Sequence, residues 1–349
     1  MKVLSRKKMI QVNGGLLILL ALSVIGCTLL GPVPVNLSQA LENFFSADPN
    51  AEILFRARLP RVLLGVAVGG GLASCGVVLQ ALLRNPLACP HILGVSGGAS
   101  LGGILGLILF PVGSSTGDQL LVAEISWVPL TSFAGALLSM ILIYRFSQVH
   151  GRIHPYQLLL AGVIFNAFVG AIIMFLNSIV DFYQAQALLF WLVGNLSTRA
   201  YLTVGFIWVY VLLGLFWLWS HCLSLNLLTL GEEGAMQLGV EAGVTQRQIF
   251  VASSLMVGAM VSVSGMIGFV GLIVPHVMRV IVGSDHRLLL PASFLAGGIF
   301  LTWADTFART LFAPAELPVG VVTAFFGGPF FFFLLYREQR KRLFYEPSR

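Results

Sequence analysis

The stretch "RLPRVLLGVAVGGGLASCGVVLQALLRNPLACPHILGVSGGASLG", residues 58–102, carries the pattern that decides the fold. After its two arginines, residues 62–83 contain no charged side chain, and a second apolar run follows the turn sequence "RNP". A helix that crosses a lipid bilayer needs about 20 predominantly apolar residues. The stretch therefore predicts one membrane-spanning helix, a polar turn and the start of a second spanning helix.

The same pattern repeats along the chain. Of the 349 residues, 57% are hydrophobic and 10% are charged, whereas soluble domains carry about 25% charged residues. We therefore predict an all-α polytopic membrane protein with ten transmembrane helices, forming a single domain over residues 1–349. The ten predicted spans cover residues 14–31, 60–83, 92–110, 126–146, 156–178, 201–220, 248–267, 269–282, 288–312 and 317–336.

The positive charges predict the orientation in the membrane. An even number of spans places both termini on one side, and cytoplasmic loops carry an excess of Lys and Arg. With both termini cytoplasmic, only five of the 20 Lys and Arg residues lie outside, namely Arg56, Arg58, Arg61, Arg199 and Arg309. We therefore predict that both termini and the polar segment 227–250 are cytoplasmic. The net charge of +6 then reflects topology rather than nucleic-acid binding.

Glycine pairs at four-residue spacing occur in the predicted spans. They are Gly65 with Gly69, Gly98 with Gly102, and Gly102 with Gly106. Small residues at this spacing let two helix backbones approach closely in a membrane. The pairs predict a closely packed helix bundle and carry no information about a substrate.

The sequence excludes a P-loop nucleotide site. There is no lysine between Lys8 and Lys341, and the phosphate-binding loop G-x-x-x-x-G-K-[ST] requires one. If ATP drives this protein, another subunit must bind it.

Metal and disulfide sites are not predicted either. The four cysteines (Cys27, Cys75, Cys89 and Cys222) have no paired spacing and lie within or next to apolar runs, so we interpret them as small apolar side chains. His150 and His154 have the spacing of helical metal ligands, but no third ligand lies near them in the sequence.

Two features suggest other functions. Asp305 is the one acidic residue well inside a predicted span, which would suit an ion-coupled secondary transporter. Arg309 follows one helical turn later, so we expect a structural ion pair instead. The sequence "GVSGG" (94–98) matches G-x-S-x-G, and an intramembrane serine protease would use Ser96 with a histidine such as His276. We prefer a close-packed helix start for this motif.

Four stretches together resemble one family. Residues 58–102, "LGEEGAMQLGV" (230–240), "GFVGLIVPHVMRVIVGSDHRLLLPASFLAGG" (268–298) and "ADTFARTLFAPAELPVGVVTAFFGGPFFFFLLYR" (304–337) are similar to permease subunits of the FecCD/BtuC-like family. These are type II ABC importers of iron–siderophores, haem and cobalamin in the bacterial inner membrane.

The resemblance implies an assembly and a fold. It implies a homodimer, two separate ATPase subunits that hold ATP and Mg, and an external substrate-binding protein. It implies no cofactor on this chain. It also implies an inverted repeat that relates helices two to five to helices seven to ten. The binding protein, rather than the permease, is expected to select the substrate.

The resemblance also assigns roles to residues. The segment 230–248 corresponds to two short helices that couple to the ATPase, with Ala235, Met236 and Leu238 as an apolar ridge. The implied coupling residues are Gly231, Glu232, Glu233, Gly234, Ala235, Met236, Gln237, Leu238 and Gly239.

Further roles concern the two ends of the pathway. Arg58, Arg61 and Arg309 match positions that dock the binding protein. Asn85 and Leu87 match a cytoplasmic gate, with Tyr156 near it. The sequence departs from the family at Cys89, where an acidic residue is usual, and residues 186–197 resemble a helix that narrows the outer mouth.

Overall fold

The computed structural model describes residues 6–42, 48–110, 127–149, 152–196 and 200–345. Its first half contains α1 (Arg6–Leu29), α2 (Leu37–Glu42), α3 (Pro49–Ala51), a π-helical segment (Glu52–Arg58), α4 (Leu59–Leu82), α5 (Val95–Leu109), α6 (Trp127–Phe146), the strands β1 (Gln148–Val149) and β2 (Arg152–Ile153), and α7 (Pro155–Ile179). The second half contains α8 (Phe182–Val193), α9 (Tyr201–Ser220), α10 (Cys222–Leu228), α11 (Glu232–Gln237), α12 (Ala242–Ser264), α13 (Val270–Val282), α14 (His286–Thr310) and α15 (Val319–Tyr345).

The predicted all-helical architecture is confirmed, apart from the antiparallel pair of two-residue strands β1 and β2. Each of the ten predicted spans coincides with one helix, namely α1, α4, α5, α6, α7, α9, α12, α13, α14 and α15. In the described part of the chain, seven helices are long and apolar enough to cross a membrane, and four further apolar helices are shorter. The number of ten crossings stays a prediction, as does the inverted repeat.

Helix α4 lies at the centre of the molecule. In its most apolar stretch, 94% of the residues are buried, against 22% in α1, α7 and α9. The outer helices therefore present apolar side chains such as Phe216, which is 69% exposed, toward the hydrocarbon of a bilayer. The equally apolar α4 instead packs against the neighbouring helices α9, α12, α13 and α14.

Glycines bring the backbone of α4 against its neighbours. The Cα of Gly69 faces the carbonyl oxygen of Gly297 in α14, so closely that a Cβ atom would overlap it. Gly76 has the same relation to Gly271 in α13. Without a side chain at these points, dispersion contacts form between backbones over the length of the helices.

The pair α5 and α6 packs in the same way. Gly98 lies against Gly135, and Gly102 lies against the backbone of Thr131. Ser132 donates a hydrogen bond of 2.8 Å from its Oγ to the carbonyl oxygen of Ala99. The close packing predicted from the glycine spacing is confirmed at these positions.

The cysteines and histidines that drew attention in the sequence have ordinary positions. All four cysteines are buried and free. His154 precedes the first residue of α7, whereas His150 lies outside the described residues, so the predicted absence of a metal site there is untested.

We predict that Gly102→Leu destabilises the bundle, because the new side chain meets the Thr131 carbonyl with no space to move into. Overpacking of this kind costs about 1–3 kcal/mol. The measurement is the thermal unfolding midpoint of the purified protein in detergent. The matched control is Gly205→Leu in α9, where the new Cβ atom would have no neighbouring atom within 4 Å. Equal losses in the two variants would contradict the packing argument.

Candidate coupling surface, gate and outer charge cluster

Two glycines delimit α11 in the polar segment 227–250. Gly231 has φ +113° and Gly239 has φ +84°, a backbone region that residues with a Cβ rarely adopt. Glu232 and Glu233 occupy the first turn of the helix, where the helix dipole favours negative charge. The chain thus forms a short, sharply bounded helix outside the long spans.

Helix α11 is fixed to the bundle by two contacts. Ala235 is fully buried and packs with Leu228 of α10 and Ala242 of α12. The Oε1 of Glu232 accepts a hydrogen bond of 3.0 Å from Nε2 of Gln246, in the second turn of α12. These contacts join α11 directly to the first turns of α12.

The exposed face of α11 differs from the predicted ridge in one residue. Ala235 is not part of the ridge, because its side chain points into the cluster with α10 and α12. Leu230, Met236 and Leu238 are 63%, 42% and 61% exposed, and Glu233 is also exposed. The surface available to a partner thus combines these three large apolar side chains with the polar side chains of Glu233, Gln237 and Glu241, which are also exposed.

The two short helices of this region are also placed differently. The resemblance implied both within 230–248, whereas the structure forms α10 before that range and α11 within it. Gly243 lies in the first turn of α12, which continues without a break to Ser264. The long span thus begins at Ala242, six residues before the predicted start at 248.

Asn226 connects the same region to α14. Its Nδ2 donates a hydrogen bond of 2.9 Å to Oδ1 of Asp285, and its Oδ1 accepts one of 3.0 Å from the backbone N–H of His286. The hydrogen bond from Arg287 is the main cause that lowers the pKa of Asp285 to about 2. Sequence reasoning missed Asn226, because one asparagine in an apolar run carries no pattern.

The predicted gate residues lie in the turn between α4 and α5. The Oδ1 of Asn85 accepts a hydrogen bond of 2.9 Å from the backbone N–H of Leu87, and the Asn85 N–H donates to the carbonyl oxygen of Gln80. Asn85 therefore holds the turn that presents Leu87. Tyr156, at the start of α7, is 69% exposed.

Cys89 is surrounded by apolar residues. It is buried with Leu272 and Ile273 of α13, and this burial raises the pKa of its thiol. Across the same turn, Nδ2 of Asn166 in α7 donates a hydrogen bond of 2.8 Å to the carbonyl oxygen of His91. A neutral side chain at position 89 suits this environment, where an unpaired carboxylate would be costly.

The opposite end of the bundle contains a cluster of charges. Arg61 in α4 binds both carboxylate oxygens of Asp305 in α14, and its Nη1 lies 2.9 Å from Oε2 of Glu316. Nε of Arg309 lies 3.4 Å from Oδ2 of Asp305, so the predicted Asp305–Arg309 ion pair is confirmed. Arg61 and Glu316 were not predicted as partners of this cluster. Arg61 is 244 residues from Asp305 in the sequence, and Glu316 lies beyond the end of α14.

The arginines of this cluster are buried rather than spread over an open rim. Arg58, Arg61 and Arg309 are 5%, 8% and 3% exposed. Arg309 donates a hydrogen bond of 2.6 Å to the Cys27 carbonyl oxygen, and Arg58 donates to the carbonyl oxygens of Leu29 and Val33. The three arginines thus connect α1, α4 and α14.

A small cavity of about 160 Å³ adjoins the cluster, and Arg58, Arg61, Arg309 and Glu316 line it. Among the residues that the structure describes, Asp305 and Glu316 are the two carboxylates in contact with these arginines, so the three guanidinium groups leave one positive charge in excess. The role of these arginines in docking stays a prediction. A docking partner would meet them at this cavity.

The predicted outer-mouth helix corresponds to α8, which runs over Phe182–Val193 rather than 186–197. The turn after α8 is bound to two spans. The N–H of Asn195 donates to the carbonyl oxygen of Ser264 at the end of α12, and the N–H of Gly320 in α15 donates to that of Gly194. Residue 197, the end of the predicted range, lies outside the described residues.

The protease hypothesis rested on Ser96. This side chain is 5% exposed in the first turn of α5, as expected for a close-packed helix start. The ring of His276 in α13 packs edge-on against Phe330 of α15.

Comparison with known proteins identifies the family. The FecCD transport family matches residues 16–337. The chain belongs to the FecCD transport family. It is 39% identical over 334 residues to the hemin transport system permease protein HmuU of Yersinia pestis, covering 94% of this chain and 96% of HmuU. It is 37% identical over 326 residues to the Fe(3+) dicitrate transport system permease protein FecD of Escherichia coli K12, covering 92% and 98%.

A solved structure agrees with the family assignment. It is described as a metal-chelate type ABC transporter in an inward-facing conformation, and its TM-score with this chain is 0.79 at 33% sequence identity. The match covers 94% of this chain and 99% of the solved chain. Membership of a transport family supports a transport role over proteolysis by Ser96.

We predict that Asp305→Asn strongly destabilises the protein, since Arg61 and Arg309 then remain buried without their shared carboxylate. Removing one partner of a buried ion pair costs about 3–5 kcal/mol. The measurement is the yield of folded protein and its thermal midpoint in detergent.

The matched control for this variant is Glu52→Gln. Its pair with Arg56 has side chains 61% and 69% exposed, and surface pairs contribute about 0–1 kcal/mol. An Asp305→Asn protein as stable as this control would show that the cluster is not structural.

Proposed function

We propose that this chain is the permease subunit of an ATP-driven importer in the bacterial inner membrane, and that its substrate is a metal chelate or large cofactor. The observation that carries the proposal is α11, a short helix with an exposed apolar face that is bound firmly to α12. Such a surface suits a separate ATPase. The substrate class follows the relatives, whose names specify hemin, Fe(3+) dicitrate and, in Halobacterium salinarum BtuC, cobalamin.

The proposed assembly has two copies of this chain, two ATPase subunits that hold ATP and Mg, and an external binding protein. Both termini and α11 are cytoplasmic, which agrees with the bias of Lys and Arg. The charge cluster around Asp305 then faces the outside. This chain itself holds no cofactor, and the binding protein selects the substrate.

The contacts of α11 supply a route for coupling. Closure of the ATPase dimer displaces α11 through Met236 and Leu238. The Ala235 cluster and the Glu232–Gln246 hydrogen bond pass this displacement to α12. The pathway between the two copies then opens on alternate sides, because the bundle has two arrangements of different affinity for the ATP-bound partner.

We predict that Glu233→Lys weakens ATP-driven uptake by roughly fivefold or more while the permease dimer still assembles. Glu233 is exposed beside the apolar face, and a reversed charge at a protein contact costs about 1 kcal/mol or more. The measurements are uptake into proteoliposomes and co-purification of the ATPase. Glu52→Lys, a reversal at another exposed carboxylate outside segment 227–250, serves as control. Unchanged uptake would place Glu233 outside the ATPase contact.

We also predict that Arg58→Gln weakens capture of the loaded binding protein, with the greatest loss at low salt, because the cavity loses its excess positive charge. The measurement is the affinity at several ionic strengths. The control is Arg56→Gln, two residues away, where the side chain is 69% exposed and already paired with Glu52. If the two variants bind equally, docking does not use the cavity.

Uptake by the purified chain without any ATPase would contradict the proposal and support an ion-coupled carrier. That outcome would be surprising here, since the one acidic residue well inside a predicted span, Asp305, is already paired with Arg61 and Arg309.

A further inference from the structure

A groove of about 460 Å³ lies between α9 and α12, apart from the coupling surface, the gate and the charge cluster. Tyr210, Leu213 and Trp217 form one wall, and Val251 and Leu255 form the other. Because Gly214 has no side chain, Met256 of α12 packs directly against the backbone of α9 here, where a Cβ atom would overlap it. The volume falls within the range of about 300–1,000 Å³ that is typical of ligand sites.

The length of the groove along α12 is close to the thickness of one leaflet of the bilayer. From Arg247 to Leu255 along α12, the rise is about 12 Å at 1.5 Å per residue. Half of a hydrocarbon core is about 15 Å. The groove thus begins where α12 leaves the polar segment and ends near the middle of the bilayer.

The surroundings of the groove are those of a lipid-facing surface. On α9, Leu213, Phe216 and Trp217 are 65%, 69% and 49% exposed. Trp217 lies in the last turn of α9. Tryptophan is enriched at membrane–water interfaces, which is where the end of a spanning helix lies. Hydrocarbon chains are therefore the immediate neighbours of this face.

The open end of the groove is polar and positively charged. Arg247 lines it and is exposed, and among the side chains that the structure describes it forms no ion pair. Gln248 is held beside it, with Oε1 2.9 Å from Nε2 of His221. The site therefore combines an apolar slot with one cation at its mouth, which complements an anionic headgroup above an acyl chain.

We propose that this groove binds an anionic phospholipid from the leaflet next to the coupling segment, with its phosphate on Arg247 and one acyl chain between α9 and α12. The assignment of the lipid to this leaflet rests on the proposed function, whereas the proposal that the groove binds a lipid does not. Arg247 lies one residue from Gln246, which binds Glu232 of α11. A bound lipid thus holds the start of α12 at the point where α11 acts on it, so coupling depends on lipid charge.

The test is lipid binding to the purified permease chain without ATPase subunits, so that failure of the importer proposal leaves the result intact. The probes are phosphatidylglycerol and phosphatidylcholine of equal chain length in mixed nanodiscs, with retained lipid counted by native mass spectrometry. We expect retention of phosphatidylglycerol over phosphatidylcholine. Arg247→Gln should reduce that preference about fivefold, because one arginine near an anionic surface contributes about 1 kcal/mol.

The control is Arg145→Gln, which removes an exposed arginine from the last turn of α6, away from the groove. A second variant, Ala252→Phe, fills the slot and should abolish retention of both lipids while Arg247 stays in place. Equal lipid retention in the wild type, Arg247→Gln and Ala252→Phe would overturn the proposal. The proposal would also be overturned if a second copy of the chain covered the groove in lipid-free dimers, because that copy, and not a lipid, would then occupy it.

Discussion

The backbone contact of α4 with α13 and α14 is the constraint on which the rest of the bundle depends. In hydrocarbon, apolar side chains gain little by leaving the lipid, so helices associate through close dispersion contacts. Gly69 against Gly297 and Gly76 against Gly271 provide these contacts where no Cβ fits. With α4 enclosed in this way, the apolar faces of α1, α7 and α9 are directed to the outside.

Helix α14 joins the two polar ends of the molecule. At its first turn, Asn226 binds Asp285 and the N–H of His286, and at its last turns Asp305 and Arg309 form the charge cluster with Arg61. From His286 to Arg309, α14 rises about 35 Å at 1.5 Å per residue. The helix is thus a continuous physical link between segment 227–250 and the opposite surface. The buried arginines also secure α1, which has few other polar contacts to α14.

The sequence predicted those structural features that depend on residues close to one another in the chain. The ten apolar runs, the glycine spacings and the Asp305–Arg309 pair at four-residue spacing are all local features, and each has its counterpart in the structure. What was missed depends on tertiary contacts. Arg61 is 244 residues from Asp305, and nothing local distinguishes the buried Ala235 from the exposed Met236. The early start of α12 was missed because its first turns carry polar residues that span counting excludes.

The segment 227–250 shows why those polar residues are helical. Thr245, Gln246 and Gln248 sit on a helix that extends beyond the apolar span, where water or protein satisfies their side chains, and Gln246 and Gln248 find partners in Glu232 and His221. Because α12 begins at Ala242, the first four N–H groups of the helix lie before the apolar span, where water and polar side chains can pair with them. This extension makes α12 both a transmembrane element and the anchor of α11. A displacement of α11 therefore reaches the buried core through one continuous helix, without a flexible joint.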